Sequence, residues 1–186
     1  MQIPTEGLTI RETAGRTDEP EWIAAARHGE PQALECLFRA YRRPIYSLCY
    51  RLLARAEDAE DATQATFVGA FRALGKFNRR SSLKTWLYRI AVNESLNILR
   101  QRERRNLPLH SEWPGVDAVP EIVQRAAVAQ ILGCMRPEQR LILVLFYWED
   151  LSCGEIADVL AVSQSAVKMR LKRAREEFER QYGGEV

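Results

Sequence analysis

The stretch LSCGEIADVLAVSQSAVKMRLKRAREEF, residues 151–178, decides the fold. Ser152, followed three residues later by Glu155, is a capping-box signature and predicts a short helix to about Leu160. Ala161 and Val162 form a turn, and Ser163 caps a final helix carrying Val167, Leu171, Ala174 and Phe178 at helical spacing. A helix of about eight residues, a tight turn and a helix of about sixteen fit a helix-turn-helix. Ile156, Ala157, Leu160, Val162 and Val167 are placed to pack its two helices together. The second helix then turns Gln164, Ser165, Lys168, Met169, Lys172 and Arg173 outward at major-groove spacing, where Lys and Arg reach guanine and Gln pairs with adenine. Arg170 and Arg175 fall on flanking faces suited to phosphates. A helical hairpin with a basic solvated face satisfies the same pattern.

Working outward, helical periodicity recurs and no strand-like alternation of useful length is found. Leu34, Leu37, Phe38, Tyr41, Ile45, Leu48, Cys49 and Leu52 mark one long amphipathic helix, with Pro31 in its first turn and Pro44 predicted to kink it. A second helix is expected from about Asp58, a candidate N-cap, to about Leu74, with Phe67, Ala70, Phe71 and Leu74 inward. After a loop at 75–81, Ser81 or Ser82 caps a third helix that carries Leu83, Trp86, Leu87, Ile90 and Ala91 into the basic run at 100–105. Pro108, Pro114, Gly115 and Pro120 break any helix over 106–120. Helical patterns resume around 122–135 and over 138–148. The expected architecture is all-α: a disordered tail at 1–20, a helical domain at 21–105, a flexible linker at 106–120 and the helix-turn-helix domain at 121–182.

The 186 residues are 46% hydrophobic and 28% charged, an ordinary globular balance. The longest apolar run, Leu141 to Trp148, is far below the ~20 residues needed to cross a bilayer. The first twenty residues are charged and hold no apolar signal core, so a cytoplasmic protein without a membrane span is expected. Cys36, Cys49, Cys134 and Cys153 form no C-x-x-C pair and read as free thiols. Cys153, at a helix N-terminus, is either a spectator or an oxidant-sensing thiol. His28 and His110 stand at no ligand spacing, so neither a metal nor another cofactor is called for.

The net charge of +2 conceals segregation: residues 69–110 hold ten basic and two acidic groups, while the segments 1–35 and 111–162 are acidic. Such a stretch is either a solvated helix face or a polyanion-binding surface. Within it lies FNRRSSLKTWLYRIAVN, residues 77–93, in which Phe77, Trp86 and Tyr88 interleave with basic residues. Arg79, Arg80, Lys84, Arg89, Arg100, Arg102, Arg104 and Arg105 are candidates for a backbone-tracking groove. Trp86, beside Leu83 and Ile90, serves either the core or a stacked base.

Residues 136–157 (RPEQRLILVLFYWEDLSCGEIA) and 166–175 (AVKMRLKRAR) resemble the fourth conserved region of extracytoplasmic-function sigma factors of the sigma-70 family. The 77–93 string resembles the second conserved region of that family. Across residues 21–180 the resemblance follows family order. It implies an RNA polymerase sigma factor that directs core polymerase to specific promoters and promotes DNA melting. The final helix would then read the minus-thirty-five element through Gln164, Ser165, Lys168, Met169, Arg170, Lys172, Arg173 and Arg175. Phe77, Asn78, Arg79, Arg80, Ser81, Lys84, Trp86, Arg89, Asn93 and Arg100 would hold and melt the minus-ten element. Residues 56–67 (AEDAEDATQATF) resemble the helix that grips the clamp helices of the largest polymerase subunit, and Asp58, Asp61 and Gln64 share one face there. The resemblance further implies a contact with the flap of the second-largest subunit and an anti-sigma partner. Ala161 and Arg80 stand where the family often has Gly, and Ala166 where it usually has Thr. The first departure predicts a strained turn, and the last removes a possible phosphate contact.

Two other classes fit less well. A helix-turn-helix regulator with an N-terminal sensing domain explains 150–176 but not the basic-aromatic string. An enzyme acting on nucleic acid lacks a clustered acid pair, a metal site or an activated nucleophile.

Overall fold

The computed structural model describes residues 19–105, 128 and 130–183. The expected linker at 106–120, nearly all of the expected tail, and most of residues 122–129 lie outside the described residues. Among the described residues every regular element is helical. Helix α1 spans Glu19–Arg27, so the last two residues assigned to the tail belong to a helix, with Glu19 and Glu21 favourably placed at its positive end. Helix α2, Pro31–Leu53, starts on Pro31 and runs through Pro44 as one element. It ends at Ala54 in left-handed backbone (φ 56°), whose N–H donates to the Tyr50 carbonyl.

Helix α3 is Ala56–Ala73, with Arg55 at the N-cap. Asp58 therefore sits inside the first turn rather than capping it. Its carboxylate is drawn to Arg102 at 2.6 Å and Arg55 at 3.7 Å. A 3-10 turn, Leu74–Lys76, leads into the loop, and Ser82 caps α4, Leu83–Arg104, by accepting from the Thr85 N–H. Phe67, Ala70 and Leu74 are buried as the pattern predicts, and Phe38 meets Phe67 edge-on at 4.8 Å.

In the second domain residues 130–134 are helical, and α5 follows at Pro137–Leu143. The helix expected over 138–148 is completed by a π-helical turn, Val144–Trp148, closed by Glu149 N–H donating to the Val144 carbonyl at 3.1 Å. Widening the last turn brings Glu149 inward and leaves Tyr147 and Trp148 exposed. Helix α6, Cys153–Leu160, carries the full capping box of Ser152 and Glu155. Ala161 is left-handed (φ 53°), the strain expected where a glycine is usual. Ser163 then caps α7, Gln164–Gly183, through the Ala166 N–H, and α7 is longer than the pattern suggests.

The two domains are not separate beads. Helix α4 packs on α6, α2 meets α5 and the π-turn, and buried residues of both domains join one apolar cluster. Arg140 of α5 is 2% exposed and donates to the Leu52 carbonyl of α2 at 2.9 Å.

Candidate nucleic-acid interface

In α7, Val167, Leu171 and Ala174 are buried against α5 and α6. That leaves Gln164, Ser165, Lys168, Met169, Arg170, Lys172 and Arg173 exposed on the other side, with Met169 55% exposed. Lys172 pairs with Glu176 one turn on, at 3.8 Å, a solvated contact of small energetic weight. The Gln164 amide folds back over the start of α6: a Cβ placed on Gly154 would meet its Nε2 at 2.9 Å. Arg175 departs from the expected set. Its guanidinium lies over the rings of Phe146 and Tyr147, 5.3 and 5.4 Å from their centroids, so it faces the π-turn rather than a groove. Cation–π attraction holds the guanidinium there, on a residue that is otherwise exposed.

The basic-aromatic segment is sorted less simply. Phe77 is 4% exposed, its ring tilted against Trp86 at 5.1 Å, and its carbonyl accepts from Arg27. Phe77 is thus chiefly a core residue, reaching the surface only where it lines the cavity described below. Tyr88, the other aromatic interleaved with the basic residues, is wholly buried, its hydroxyl donating to Glu149 at 2.5 Å. Lys84 turns toward the second domain, donating to the Glu149 carbonyl at 3.2 Å and lying 5.2 Å from the Tyr88 ring. Arg102 is buried on Asp58 rather than lining a groove.

What stays outward is Asn78, Arg79 and Arg80 of the loop, half-buried Ser81, and Arg89, Asn93 and Arg100 along α4. Arg79 holds the left-handed conformation (φ 57°) and donates to the Pro20 carbonyl at 3.2 Å. The special backbone position is therefore Arg79, not Arg80. The Asn78 side chain accepts the Arg80 N–H at 3.3 Å, a local turn that spreads the two arginines. Lys76, Phe77, Asn78, Arg80, Ser81, Thr85, half-buried Trp86 and Arg89 line a cavity of about 320 Å³, and Asp158 of α6 completes its wall. Trp86 packs against the core, the first of its two expected roles, and also lines the cavity.

On α3 the predicted trio divides. Asp61 and Gln64 are exposed, while Asp58 is spent on Arg102. Val68, 43% exposed and one turn beyond Gln64, extends their face. Sequence reasoning missed Val68, although its i+4 spacing from Gln64 was a usable signal.

Titration follows burial and hydrogen bonding. The Cys49 thiol is pushed up to about 11, chiefly by burial, and is no candidate thiolate. Burial also raises Tyr88, with the Glu149 charge adding to it, and so keeps the phenol a donor. Glu155 lies below the usual carboxylate range because the Ser152 N–H, then its hydroxyl, bind the ionised form. Cys153 is half-buried and all four cysteines are free. Among the described residues no cluster of His, Cys, Asp and Glu is placed to hold a metal, and no helix is long and apolar enough to cross a membrane.

Comparison with known proteins agrees with this geometry. Residues 37–105 match the family model for sigma-70 region 2, and residues 125–178 match that for sigma-70 region 4. The chain is 31% identical over 166 residues to the ECF RNA polymerase sigma factor SigM of Mycobacterium tuberculosis, covering 89% of this chain and 85% of that one. It is 29% identical over 175 residues to the ECF RNA polymerase sigma factor SigW of Bacillus subtilis, covering 86% and 94%. Among solved structures, CnrH in complex with the cytosolic domain of CnrY superposes with a TM-score of 0.69 at 26% identity, over 90% of this chain and 99% of that one. The sigma factor RpoE, in complex with the anti-sigma factor NepR from Bartonella quintana, shares the fold at a TM-score of 0.64 and 20% identity, over 80% and 96%. With both conserved regions present in order on an all-helical two-domain fold, the chain belongs to the extracytoplasmic-function group of the sigma-70 family and is an RNA polymerase sigma factor.

Proposed function

We propose a division of labour for this sigma factor between two surfaces. The α7 face of Gln164, Ser165, Lys168, Met169, Lys172 and Arg173, flanked by Arg170, reads the minus-thirty-five element as duplex. The loop and α4 surface of Asn78, Arg79, Arg80, Ser81, Trp86, Arg89, Asn93 and Arg100 takes the displaced strand of the minus-ten element. The observation that carries this reading is the cavity between Asn78, Arg80, Trp86 and Arg89, which joins an aromatic wall to cations. An unstacked base needs the first and its phosphates the second. Asp61, Gln64 and Val68 face the clamp helices of the largest polymerase subunit, and the second domain meets the flap of the second-largest. CnrH and RpoE were solved with CnrY and an anti-sigma factor respectively, which supports an anti-sigma partner here. The protein acts in the cytoplasm as a non-catalytic subunit.

The test is transcription by core polymerase and this chain on a randomised promoter library, with the start sites sequenced. Enrichment of two spaced motifs, one read as duplex and one unpaired to permanganate, is expected. Initiation without either motif rejects the reading.

A further inference from the structure

We propose that the packed arrangement of the two domains is a self-masking state of this sigma factor, latched through Glu149 and Arg140, in which Asp158 of the helix-turn-helix stands in the wall of the strand-binding cavity. The inference rests on the reading of that cavity given above.

The latch is polar and crosses the domains. Glu149 is 8% exposed; its carboxylate accepts from the Tyr88 hydroxyl at 2.5 Å and pairs with the Arg51 guanidinium at 3.5 Å, and its carbonyl accepts from Lys84 at 3.2 Å, all three in the first domain. Arg140 reaches the other way to the Leu52 carbonyl, while its Nε donates to no acceptor among the described residues. Burial lowers the Arg140 pKa, so the closed form disfavours this charge. Opening hydrates it. One buried ion-paired carboxylate thus favours closure while one buried cation, with no carboxylate partner among the described residues, opposes it, the composition of a seam that can part.

The seam also covers function. Asp158 shares the cavity with Arg80 and Arg89, placing a carboxylate where a DNA phosphate would approach those cations. Distance demands the opening. Elements centred about 25 base pairs apart are separated by about 85 Å of duplex, whereas a packed chain of this length has a radius of gyration of about 16 Å. The closed protein cannot seat both surfaces on one promoter.

The test uses the full chain, with small-angle scattering and anisotropy on randomised 20-nucleotide DNA pools, single-stranded and duplex. Glu149→Lys sets a cation beside Arg51 and Lys84. It is expected to raise the radius of gyration by about a quarter over wild type and single-strand affinity about tenfold, with a smaller gain on duplex. Asp158→Asn, an exposed position, is expected to keep the wild-type radius and gain about threefold on single strand. If Glu149→Lys fails a thermal-melt check of folding, Tyr88→Phe replaces it, with the same directions at smaller size. An unchanged radius in the latch variant, with wild-type strand binding intact, overturns the latch alone. Expansion without any gain in single-strand preference in either variant overturns the masking. Loss of strand binding in every form, wild type included, points instead to failure of the cavity reading.

Discussion

On α7 the role of each residue follows from its face, whereas on the loop and α4 the same residue types at similar spacing go to three different places. Helix α7 is one amphipathic element. Burying Val167, Leu171 and Ala174 fixes which side meets solvent, and the basic residues follow automatically. The surface proposed for the minus-ten element is instead assembled from a 3-10 turn, a loop and the start of α4, and it abuts the second domain. Its aromatics go to the core (Phe77), the seam (Tyr88) or the cavity wall (Trp86), and its cations divide between solvent (Arg80, Arg89), the seam (Lys84) and a buried pair (Arg102). A single-helix reader is thus specified by local periodicity, and a composite reader by contacts between segments.

The sharpest way to break this contrast is Phe77→Ala. As a core residue it should cost about 3–5 kcal/mol of stability, seen as a large fall in the unfolding midpoint. A stable variant defective only in melting would return Phe77 to the DNA surface. Next comes joint replacement of Asn78, Arg79 and Arg80 by Ala. All three are exposed, so the fold should survive while open-complex formation falls about a hundredfold, roughly 2.7 kcal/mol. A pre-melted bubble template should recover much of that loss, and permanganate footprinting of unpaired thymines measures it. Equal thymine reactivity in wild type and variant would move the melting role to the face between Trp86 and Asn93.

On α7, Lys168→Ala or Arg173→Ala should cost about 1–3 kcal/mol and relax selectivity at one base step. Arg175→Ala should leave promoter choice unchanged and remove about 0.5–1 kcal/mol of stability with its ring contacts. If Arg175 alters selectivity as strongly as Lys168, the face rule fails. A similar contrast holds on α3. Asp61→Ala with Gln64→Ala should weaken core-polymerase binding in a pull-down titration with the melting temperature intact. Asp58→Ala should instead destabilise by about 1–3 kcal/mol, because it removes the carboxylate that Arg102 binds at 2.6 Å.

The smallest expected effect lies in the capping box. Ser152→Ala should cost about 1 kcal/mol. Because the folded state holds the Glu155 pKa below its unfolded value, the carboxylate's contribution is present above the unfolded pKa and lost as pH falls through the lowered one. The stability gap between wild type and Glu155→Gln, measured by urea unfolding, should therefore close from neutral pH toward pH ~3. A gap that widens on acidification would refute the assignment.

The sequence alone determined what depends on neighbours within a turn or two: most of the helices, the Ser152–Glu155 box, the Ser163 cap, a serine cap on α4 that the structure assigns to Ser82, and the buried stripe of α7. These are short-range because helical hydrogen bonds and caps span three or four residues. Tertiary structure decided the rest. Glu149 finds Tyr88 61 residues away and Arg140 finds Leu52 88 residues away; no periodicity encodes either pairing. The same holds for Asp58, which local spacing sets beside Asp61 and Gln64 but which Arg102, 44 residues distant, turns aside. A charged side chain near a domain seam is claimed by whichever opposite charge the packing brings within about 4 Å, and that choice is made only when the chain folds.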